Sequence, residues 1–392
     1  MKGLKDWKKP LQISKIVLSF LFIYIGIYAN DSILSKDRIE SLDLSQEKID
    51  LDSGKQKIDW IKPINISYIK NISAPTLDTR ISTISINQPI FKSGGIYNEI
   101  KYSNISNKYQ TLETDIQRKL LIKDATTLLF KLNQIDLKIK KQSLQIKNAK
   151  IDVKIKQEQI LHNILDMTFL NNAIIILNQN NISLEDLKLS KIDLENKFNN
   201  LSSKTYQNFS LPVLSIIKSN DFISNNIYIK KAKLNEKSQD YYKKIILSNY
   251  LPTLSLTHDY INYHDRNLDT STTGIKFTIP LDIKSYYDTQ SSKISYLKAK
   301  KQTDIIKNEE TNYIKSVQNK INTIENKIQI QESTINYYND LIITTIDLKN
   351  NGLKTSDDVN ILQNSSNIEK LSLQIFEIDK QIQLLEAYAR TN

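Results

Sequence analysis

The sequence predicts a mainly α protein with a small β part, in which one strand–strand–long helix–helix unit occurs twice. Only 7 Gly and 7 Pro occur in 392 residues, so few turns interrupt the helices. Two pairs of alternating apolar and polar segments, each closing on a proline, lie about 190 residues apart. A long helical pattern follows each pair. The repeated order indicates a duplicated architecture rather than two unrelated domains.

The N-terminus has the composition of an export signal. Lys2, Lys5, Lys8 and Lys9 precede an apolar segment that runs from Ile16 to Ala29. A basic start, a short apolar stretch and a small final residue are typical of a secretory signal. We therefore predict a signal peptide over residues 1–29, although the bulky Ile27 leaves an uncleaved signal anchor as the alternative. The sequence shows no later apolar run of the length that a further transmembrane helix requires.

Composition excludes several classes of function. The chain contains no cysteine, so disulfides, thiolate metal sites and thiol nucleophiles are excluded. Its net charge of +11 is better explained by solvated basic faces of long helices than by nucleic-acid binding. Basic residues do not cluster with interleaved aromatic residues, so no nucleic-acid partner is predicted.

The first repeat is predicted over residues 30–219. It comprises a helix at about 38–60, strands at about 64–72 and 80–91, a long helix at about 97–167 and a helix at about 184–204. The long helix, about 100 Å at 1.5 Å per residue, carries a coiled-coil seam that Gln142 and Lys156 interrupt. The seam residues are Leu121, Ala125, Leu128, Leu132, Ile135, Ile139, Ile146, Ala149, Val153, Ile160 and Ile164.

The second repeat is predicted over residues 220–392 and has the same order. A helix at about 221–250 leads into strands at about 253–263 and 271–281. A long helix at about 286–348 follows, and its apolar stripe includes Ile314, Val317 and Ile321. Gly352 is placed as the residue that ends it, and the last helix spans about 356–389.

The strands have the pattern of membrane strands. In the segment 271–281, Ile275, Phe277, Ile279 and Leu281 share one face, and Lys276 and Thr278 share the other. Transmembrane β-strands alternate in this way over about 10 residues. A soluble four-stranded sheet is the alternative, but no apolar layer is predicted to cover it. Four strands cannot close a barrel and open edges do not persist in lipid, so several copies must complete one barrel.

Several segments together resemble the TolC family of outer-membrane efflux proteins. Asn87–Gly95 is similar to the family's QPLF-x-GG segment between the first strand pair and the long helix, and Tyr250–Leu256 is similar to its LP-x-L-x-L strand start. Ile279-Pro280-Leu281 resembles the end of a strand. Asn350–Val359 resembles the turn between the last two helices, and Asn180–Leu187 is taken as the corresponding turn of the first half.

The resemblance implies a TolC-like homotrimer with a 12-stranded membrane β-barrel on a periplasmic helical barrel. It implies a passive exit duct in the outer membrane, in contact with outer-membrane lipid, for a tripartite efflux or type I secretion system. The implied partners are a periplasmic adaptor protein and an inner-membrane pump of the RND, ABC or MFS type. A membrane-anchored periplasmic coiled-coil adaptor or structural protein is the alternative function.

The resemblance also implies a gate at the helix turns. Asp358 takes the place of the family's first tip aspartate, and Lys354 that of a basic residue linked to a first-half acid, here Asp186. Two family positions differ, since Ile361 and Lys349 replace an acid and an aromatic residue, so Asp357 is a candidate substitute. The alternative is that these acids only stabilise helix N-termini.

No enzymatic activity, cofactor or metal site is predicted. His258, Asp259, His264 and Asp265 lie close together in the sequence. Their spacing matches none of the usual metal-ligand patterns, and they are better explained as polar residues at strand ends.

Overall fold

A computed structural model describes residues 33–72 and 79–391. The predicted signal peptide lies outside the described residues. The helices and strands of the two repeats are, in chain order, α1 (Lys36–Ile58), β1 (Asn65–Asn71), β2 (Thr79–Phe91), α2 (Gly95–Leu161), α3 (Met167–Asn199), α4 (Ser219–Asn225), α5 (Ile227–Ser248), β3 (Thr253–Tyr263), β4 (Leu268–Thr278), α6 (Lys284–Asn350) and α7 (Ser356–Tyr388).

The two halves of the chain repeat each other at a constant separation. Helices α2 and α6 each have 67 residues, and α3 and α7 each have 33. From Gly95 to Lys284, and again from Met167 to Ser356, the separation is 189 positions. Each residue of the α2–α3 hairpin therefore has a structural counterpart in the α6–α7 hairpin.

The predicted turn of the first half was wrong. Helix α2 ends at Leu161 and α3 begins at Met167, whereas the sequence predicted a new helix only from about residue 184. The segment 180–187 contains neither Gly nor Pro. The Ser183 hydroxyl donates to the carbonyl of Gln179 at 2.9 Å, which is a bond within a helix and not an N-terminal cap.

Two smaller differences have local causes. The helix predicted at about 221–250 is interrupted at Asn226, whose ψ of 124° is extended. Strand β4 begins at Leu268 and ends at Thr278, so Ile279 and Leu281 lie beyond it. The proline at position 280 has no N–H for strand pairing, which accounts for the early end. The remaining strand and helix limits agree with the prediction to within a few residues.

The helices form a rod with the sheet at one end. Helices α2 and α6 both start just after a strand and both end at a turn, so the two turns lie at the far end. At 1.5 Å per residue, each long helix is about 100 Å long. Shorter helices stack end to end beside them. Ser35 N–H donates to the Leu201 carbonyl at 2.8 Å, which joins α3 to α1, and Ile227 N–H donates to Arg390 at 2.9 Å, which joins α7 to α5.

Side-by-side packing gives the chain the form of a strip. Near the turns the helices lie in the order α3–α2–α7–α6, and near the sheet they lie in the order α1–α2–α5–α6. The four strands are antiparallel in the order β1–β2–β3–β4. The strip therefore has two edges, one formed by α1, α3 and β1 and the other by α6 and β4.

Apolar side chains hold the strip together in two clusters. The first packs α2 against α3 and α1, with Ala125, Leu132 and Phe198 fully enclosed. The second packs α6 against α4 and α7 around Phe222 and Ile314. Predicted seam residues are buried in α2, which confirms the helical pattern; they are Ala125, Leu132, Ile135, Ile146 and Ala149.

Candidate functional site: the two-faced sheet and the paired helix turns

The two faces of the sheet differ in chemistry. Directly opposed residues of an antiparallel pair share a face, and Ile66 opposes Ile84, which opposes Tyr260. The register places a set of apolar residues on this face, namely Ile66, Ile84, Ile86, Leu254, Leu256, Tyr260, Ile275 and Phe277. The register places a polar set on the opposite face, namely Ser67, Thr83, Ser85, Asn87, Thr257, Asp259, Thr270, Thr272 and Lys276. The separation is clearest in the half of the sheet next to the helices. Toward the hairpin tips the first face also carries polar residues, namely Ser82, His258, Asn262, Ser271 and Thr273, and the opposite face carries apolar ones, namely Ile69, Ile81, Ile261 and Leu268.

The apolar face is open in the single chain. Ile66 is 77 %, Ile275 70 % and Phe277 64 % exposed. From Leu254 to Tyr260 this face extends about 20 Å at 3.3 Å per residue, and the polar pair His258 and Thr273 interrupts its apolar residues. This arrangement confirms the predicted alternation. Within the described part of the chain, none of the helices has an apolar stretch sufficient for a membrane span.

The strand histidines contact hydroxyl groups. His258 Nδ1 lies 2.8 Å from Thr273 Oγ1, and His264 Nε2 lies 2.8 Å from Ser82 Oγ. Asp265 forms an ion pair with Arg80. Across residues 33–72 and 79–391, His, Cys, Asp and Glu side chains form no group suited to a metal ion.

Both helix turns at the far end of the rod have the same backbone geometry. Asn163 has a φ of 57° and Gly352 a φ of 74°, and these residues are structural counterparts. Ile164 N–H donates to the Gln159 carbonyl at 2.8 Å, and Leu353 N–H donates to the Leu348 carbonyl at 2.9 Å. This bond pattern ends a helix on a left-handed residue, which Gly and Asn adopt at least cost.

The following helices begin on polar caps. The Asp166 carboxylate accepts from Thr168 N–H at 2.8 Å. In the second turn, Asp358 N–H donates to the Thr355 hydroxyl at 3.1 Å, and Thr355 N–H donates to the Asp358 carboxylate at 2.8 Å. These reciprocal bonds form a capping box and hold the pKa of Asp358 below its usual value, mainly through the backbone N–H of Thr355. Asp358 therefore stabilises a helix N-terminus, which was the alternative reading of this acid.

One ion pair connects the two halves of the chain near the turns. Lys154 Nζ of α2 lies 2.9 Å from Asp357 Oδ2 of α7. The hydrogen bond to Asp357 raises the pKa of Lys154. Lys354 lies 3.6 Å from Asp358. Because α2 and α7 belong to different repeats, the Lys154–Asp357 contact sets the position of one turn relative to the other.

Three of the four predicted gate residues lie at the turns, and one does not. Lys354, Asp357 and Asp358 flank the second turn, as predicted. Asp186 lies 19 residues after Met167, the first residue of α3, which is about 29 Å along the helix. The predicted Asp186–Lys354 contact does not form, since the ion pair of Lys354 within the described residues is with Asp358.

Three residues of the turns were missed from the sequence. They are Lys154, Asn163 and Asp166. Asn163 and Asp166 could have been identified from the constant separation of 189 positions, because Asn163 corresponds to Gly352 and Asp166 to Thr355. Lys154 has no such signal, because its partner lies on a helix of the other repeat.

The turns also expose apolar side chains. Leu161 is 80 % and Leu353 71 % exposed, and Ile164 and Met167 are exposed as well. This end of the rod therefore combines an apolar tip with the ion pairs described above.

Comparison with solved structures gives long matches at low sequence identity. The outer membrane protein VceC from Vibrio cholerae matches with a TM-score of 0.73 and 12% identity, over 91% of this chain and 94% of that one. The CmeC outer membrane channel of Campylobacter jejuni matches with a TM-score of 0.69 and 14% identity, over 91% and 84% of the two chains. The open state of the MtrE outer membrane channel of Neisseria gonorrhoeae matches with a TM-score of 0.63 and 11% identity, over 93% and 87%.

The chain has a TolC-like fold. No protein-family model matches the sequence, and no curated protein matches it at a significant level. The shared fold confirms the predicted resemblance and the predicted mainly α class. CmeC and MtrE are outer membrane channels.

Proposed function

We propose that this chain is a subunit of a trimeric outer-membrane channel, the exit duct of a tripartite efflux or type I secretion system. The observation that carries the proposal is the form of the chain, a strip with two edges and a sheet whose half next to the helices is mainly apolar on one face and polar on the other. Such a strip is complete only when its two edges meet.

The sheet edges favour ring closure in a membrane. In the described residues, β1 and β4 each pair along one side only. An unpaired backbone group in lipid costs several kcal/mol, so β1 of one copy pairs with β4 of the next. Contacts between unlike edges form a ring when the rotation closes. A membrane barrel needs at least about eight strands, and three copies supply twelve.

The two faces of the sheet then have different environments. The apolar face, with Ile66 and Ile275, contacts outer-membrane lipid. The polar face, with Asp259, Thr272 and Lys276, lines the pore, and the helices continue the duct into the periplasm. Polar lumen and apolar outer band are the arrangement of water-filled membrane barrels.

The helix turns are the end of the duct that receives cargo. The exposed Leu161, Ile164, Met167 and Leu353 offer an apolar surface to a periplasmic adaptor protein. An inner-membrane pump of the RND, ABC or MFS type supplies the energy, and the duct itself is passive.

The gate lies at the same turns. The Lys154–Asp357 ion pair holds the second turn beside α2, and the Lys354–Asp358 ion pair lies within that turn. In a ring, three copies of Asp357 and Asp358 meet near the axis, and rings of acidic residues favour cations. Asp186 has no part in this gate, because it lies far along α3.

Conductance in planar bilayers tests the proposal. The purified protein is expected to form channels whose small conductance rises when the turn contacts are broken. Protein that gives no conductance and fractionates with the inner membrane would overturn the proposal, and would favour a signal-anchored adaptor or structural coiled coil.

A further inference from the structure

We infer that neighbouring copies of this chain meet along an apolar seam between α3 of one copy and α6 of the next, in the register of the internal α2–α7 packing. This inference rests on the ring of copies proposed above. It specifies the residues that touch and the chemistry of the contact.

The internal packing of α2 on α7 fixes a register. Asn364 Nδ2 donates to Asn148 Oδ1 at 2.8 Å. Lys141 Nζ donates to Ser372 Oγ at 2.9 Å, and Lys154 Nζ donates to Asp357 Oδ2 at 2.9 Å. The two helices run antiparallel, because the α7 partner moves forward as the α2 residue moves back. All three contacts are between polar side chains.

The duplication transfers this register to the outer edges. Adding 189 to a residue number of α2 gives its counterpart in α6, and subtracting 189 from a residue number of α7 gives its counterpart in α3. Because α6 and α3 are the two outermost helices near the turns, they meet only between copies. The internal α2–α7 interface is therefore the template for the interface between copies.

The transferred register brings together specific residues. The Asn148–Asn364 contact corresponds to Tyr337 of one copy with Ile175 of the next. Likewise, Lys141–Ser372 corresponds to Ile330 with Ser183. Lys154–Asp357 corresponds to Ile343 with Thr168.

Exposure supports this assignment. Tyr337 is 62 %, Ile175 56 % and Ile330 67 % exposed in the single chain. Ile343 and Ile182, the neighbour of Ser183, are also exposed. All three transferred positions of α6 thus carry large apolar or aromatic side chains, and α3 presents Ile175 at one position and Ile182 beside the polar Ser183 at another, while the internal counterparts are all polar.

The contacts inside the chain are polar, whereas the exposed residues at the corresponding positions of the two edges are mainly apolar. We therefore assign a second copy of this chain as the partner of each edge. The exposed Ile175 and Ile182 of α3 lie at the same heights above the turns as the exposed Tyr337 and Ile330 of α6. Burial of large apolar side chains stabilises association in proportion to the area removed from water. The polar α2–α7 contacts position the two halves within a chain, and the apolar seam joins one chain to another.

Engineered disulfides test the register. Because the chain has no cysteine, the introduced residues are its only thiols. The variant is Ile175→Cys with Tyr337→Cys, whose template is a contact between two short asparagine side chains. A disulfide needs Cα atoms within about 7 Å. The matched control is Ile175→Cys with Ile330→Cys, in which one thiol is moved two turns, about 10 Å, along α6.

Oxidation in isolated outer membranes is expected to convert the in-register variant to covalent trimers on non-reducing gels, and to leave the control at monomer size. Preferential cross-linking of the control would overturn the register. The mass of the unoxidised protein is measured in parallel. A trimer in which no pair cross-links would overturn the seam and leave the proposed function standing, whereas a monomer would overturn both.

Discussion

Lys154 and Asp357 lie 2.9 Å apart and connect two helices that belong to different repeats of the chain. The pair lies close to the turns, at the end of the rod opposite the sheet. It is therefore placed to hold one hairpin end against the other, and in the proposed channel this contact would bias the width of the duct at the turns.

Lys154→Glu is expected to raise channel conductance in planar bilayers. The change replaces attraction by repulsion at Asp357 and frees the second turn from α2. Lys150→Glu is the matched control, with the same charge change one turn earlier on the same helix. The exchanged pair, Lys154→Asp with Asp357→Lys, should return conductance toward that of the unmodified protein. Equal conductance of both glutamate variants would contradict the gate role.

Salt concentration, rather than pH, is the variable that tests the Lys154–Asp357 ion pair, because Lys154 keeps its charge through neutral pH. The folded-state pKa of Lys154 is raised, so its stabilising contribution is present below the ordinary lysine pKa. The contribution is lost only as pH rises through the raised value. High salt screens partly exposed charges, and should reduce the difference between Lys154→Glu and the unmodified protein.

Thr355→Ala is expected to open the first turn of α7. The change removes the hydroxyl that accepts from Asp358 N–H, and loss of such a cap costs about 1 kcal/mol. Hydrogen exchange of residues 356–359 should accelerate severalfold while that of α3 stays unchanged. Ser356→Ala, the adjacent hydroxyl, is the control. Unchanged exchange in Thr355→Ala would show that the box does not stabilise the turn.

The same cap predicts a pH dependence. The pKa of Asp358 is lowered in the folded chain, so its contribution is present above the ordinary aspartate pKa. It is lost as pH falls through the lowered value. Circular dichroism should therefore show an acid-induced loss of helix in the unmodified protein that is smaller in Asp358→Asn.

Arg390→Ala is expected to lower the stability of the rod by about 3–5 kcal/mol, because it leaves a buried charge unpaired. Glu310 is buried, and its carboxylate accepts from Arg390 at 2.5 Å and from Asn226 at 2.8 Å. The Arg390 guanidinium also lies 3.6 Å from the centre of the Tyr313 ring. Chemical unfolding followed by circular dichroism measures the loss.

The double variant Arg390→Met with Glu310→Gln is the control for charge. It removes both charges and keeps an acceptor for Asn226, so it should recover most of the lost stability. If the double variant were as unstable as Arg390→Ala, packing and not the unpaired carboxylate would be the cause.

Ile275→Arg is expected to reduce assembly in the outer membrane. An arginine on the lipid face of a barrel costs about 2–4 kcal/mol near the bilayer midplane. Thr272→Arg is the control, because Thr272 lies on the polar face directly opposite Asp259. The fraction of protein recovered as assembled oligomer measures the effect. Equal recovery of the two variants would contradict the assignment of the faces.

The long helices and the strands were predictable from the sequence because both depend on local periodicity. Ala125, Leu132 and Ile135 follow the coiled-coil period, and Ile275 and Phe277 follow the strand period. Prolines and glycines mark the change from one period to the other, as in Pro89, Gly94 and Gly95. These signals lie within a few residues of the elements that they define.

The first turn was misplaced because its residues look helical. Ile160 and Ile164 continue the predicted seam and Leu161 and Leu165 are apolar as well, whereas Asn180 and Asn181 resemble a loop. In the structure, Gln142 donates to the Asn180 carbonyl at 2.9 Å and to its side chain at 3.0 Å. The apparent interruption at Gln142 and the apparent loop at Asn180 are thus one polar contact between α2 and α3.

Residue contacts between the two repeats could not be predicted from the sequence. Lys154 and Asp357 are separated by about 200 positions, and their meeting depends on the register of α2 against α7. The turn acids Asp357 and Asp358 were found because they follow a recognisable helix end, but the partner of each was decided by packing.

The mass of the purified protein, measured in detergent with the bound detergent subtracted, tests the central claim most directly. The strip with two edges predicts a trimer extracted from the outer membrane. A monomer or dimer, or protein recovered from the inner membrane, would contradict the shared barrel and favour an anchored coiled coil.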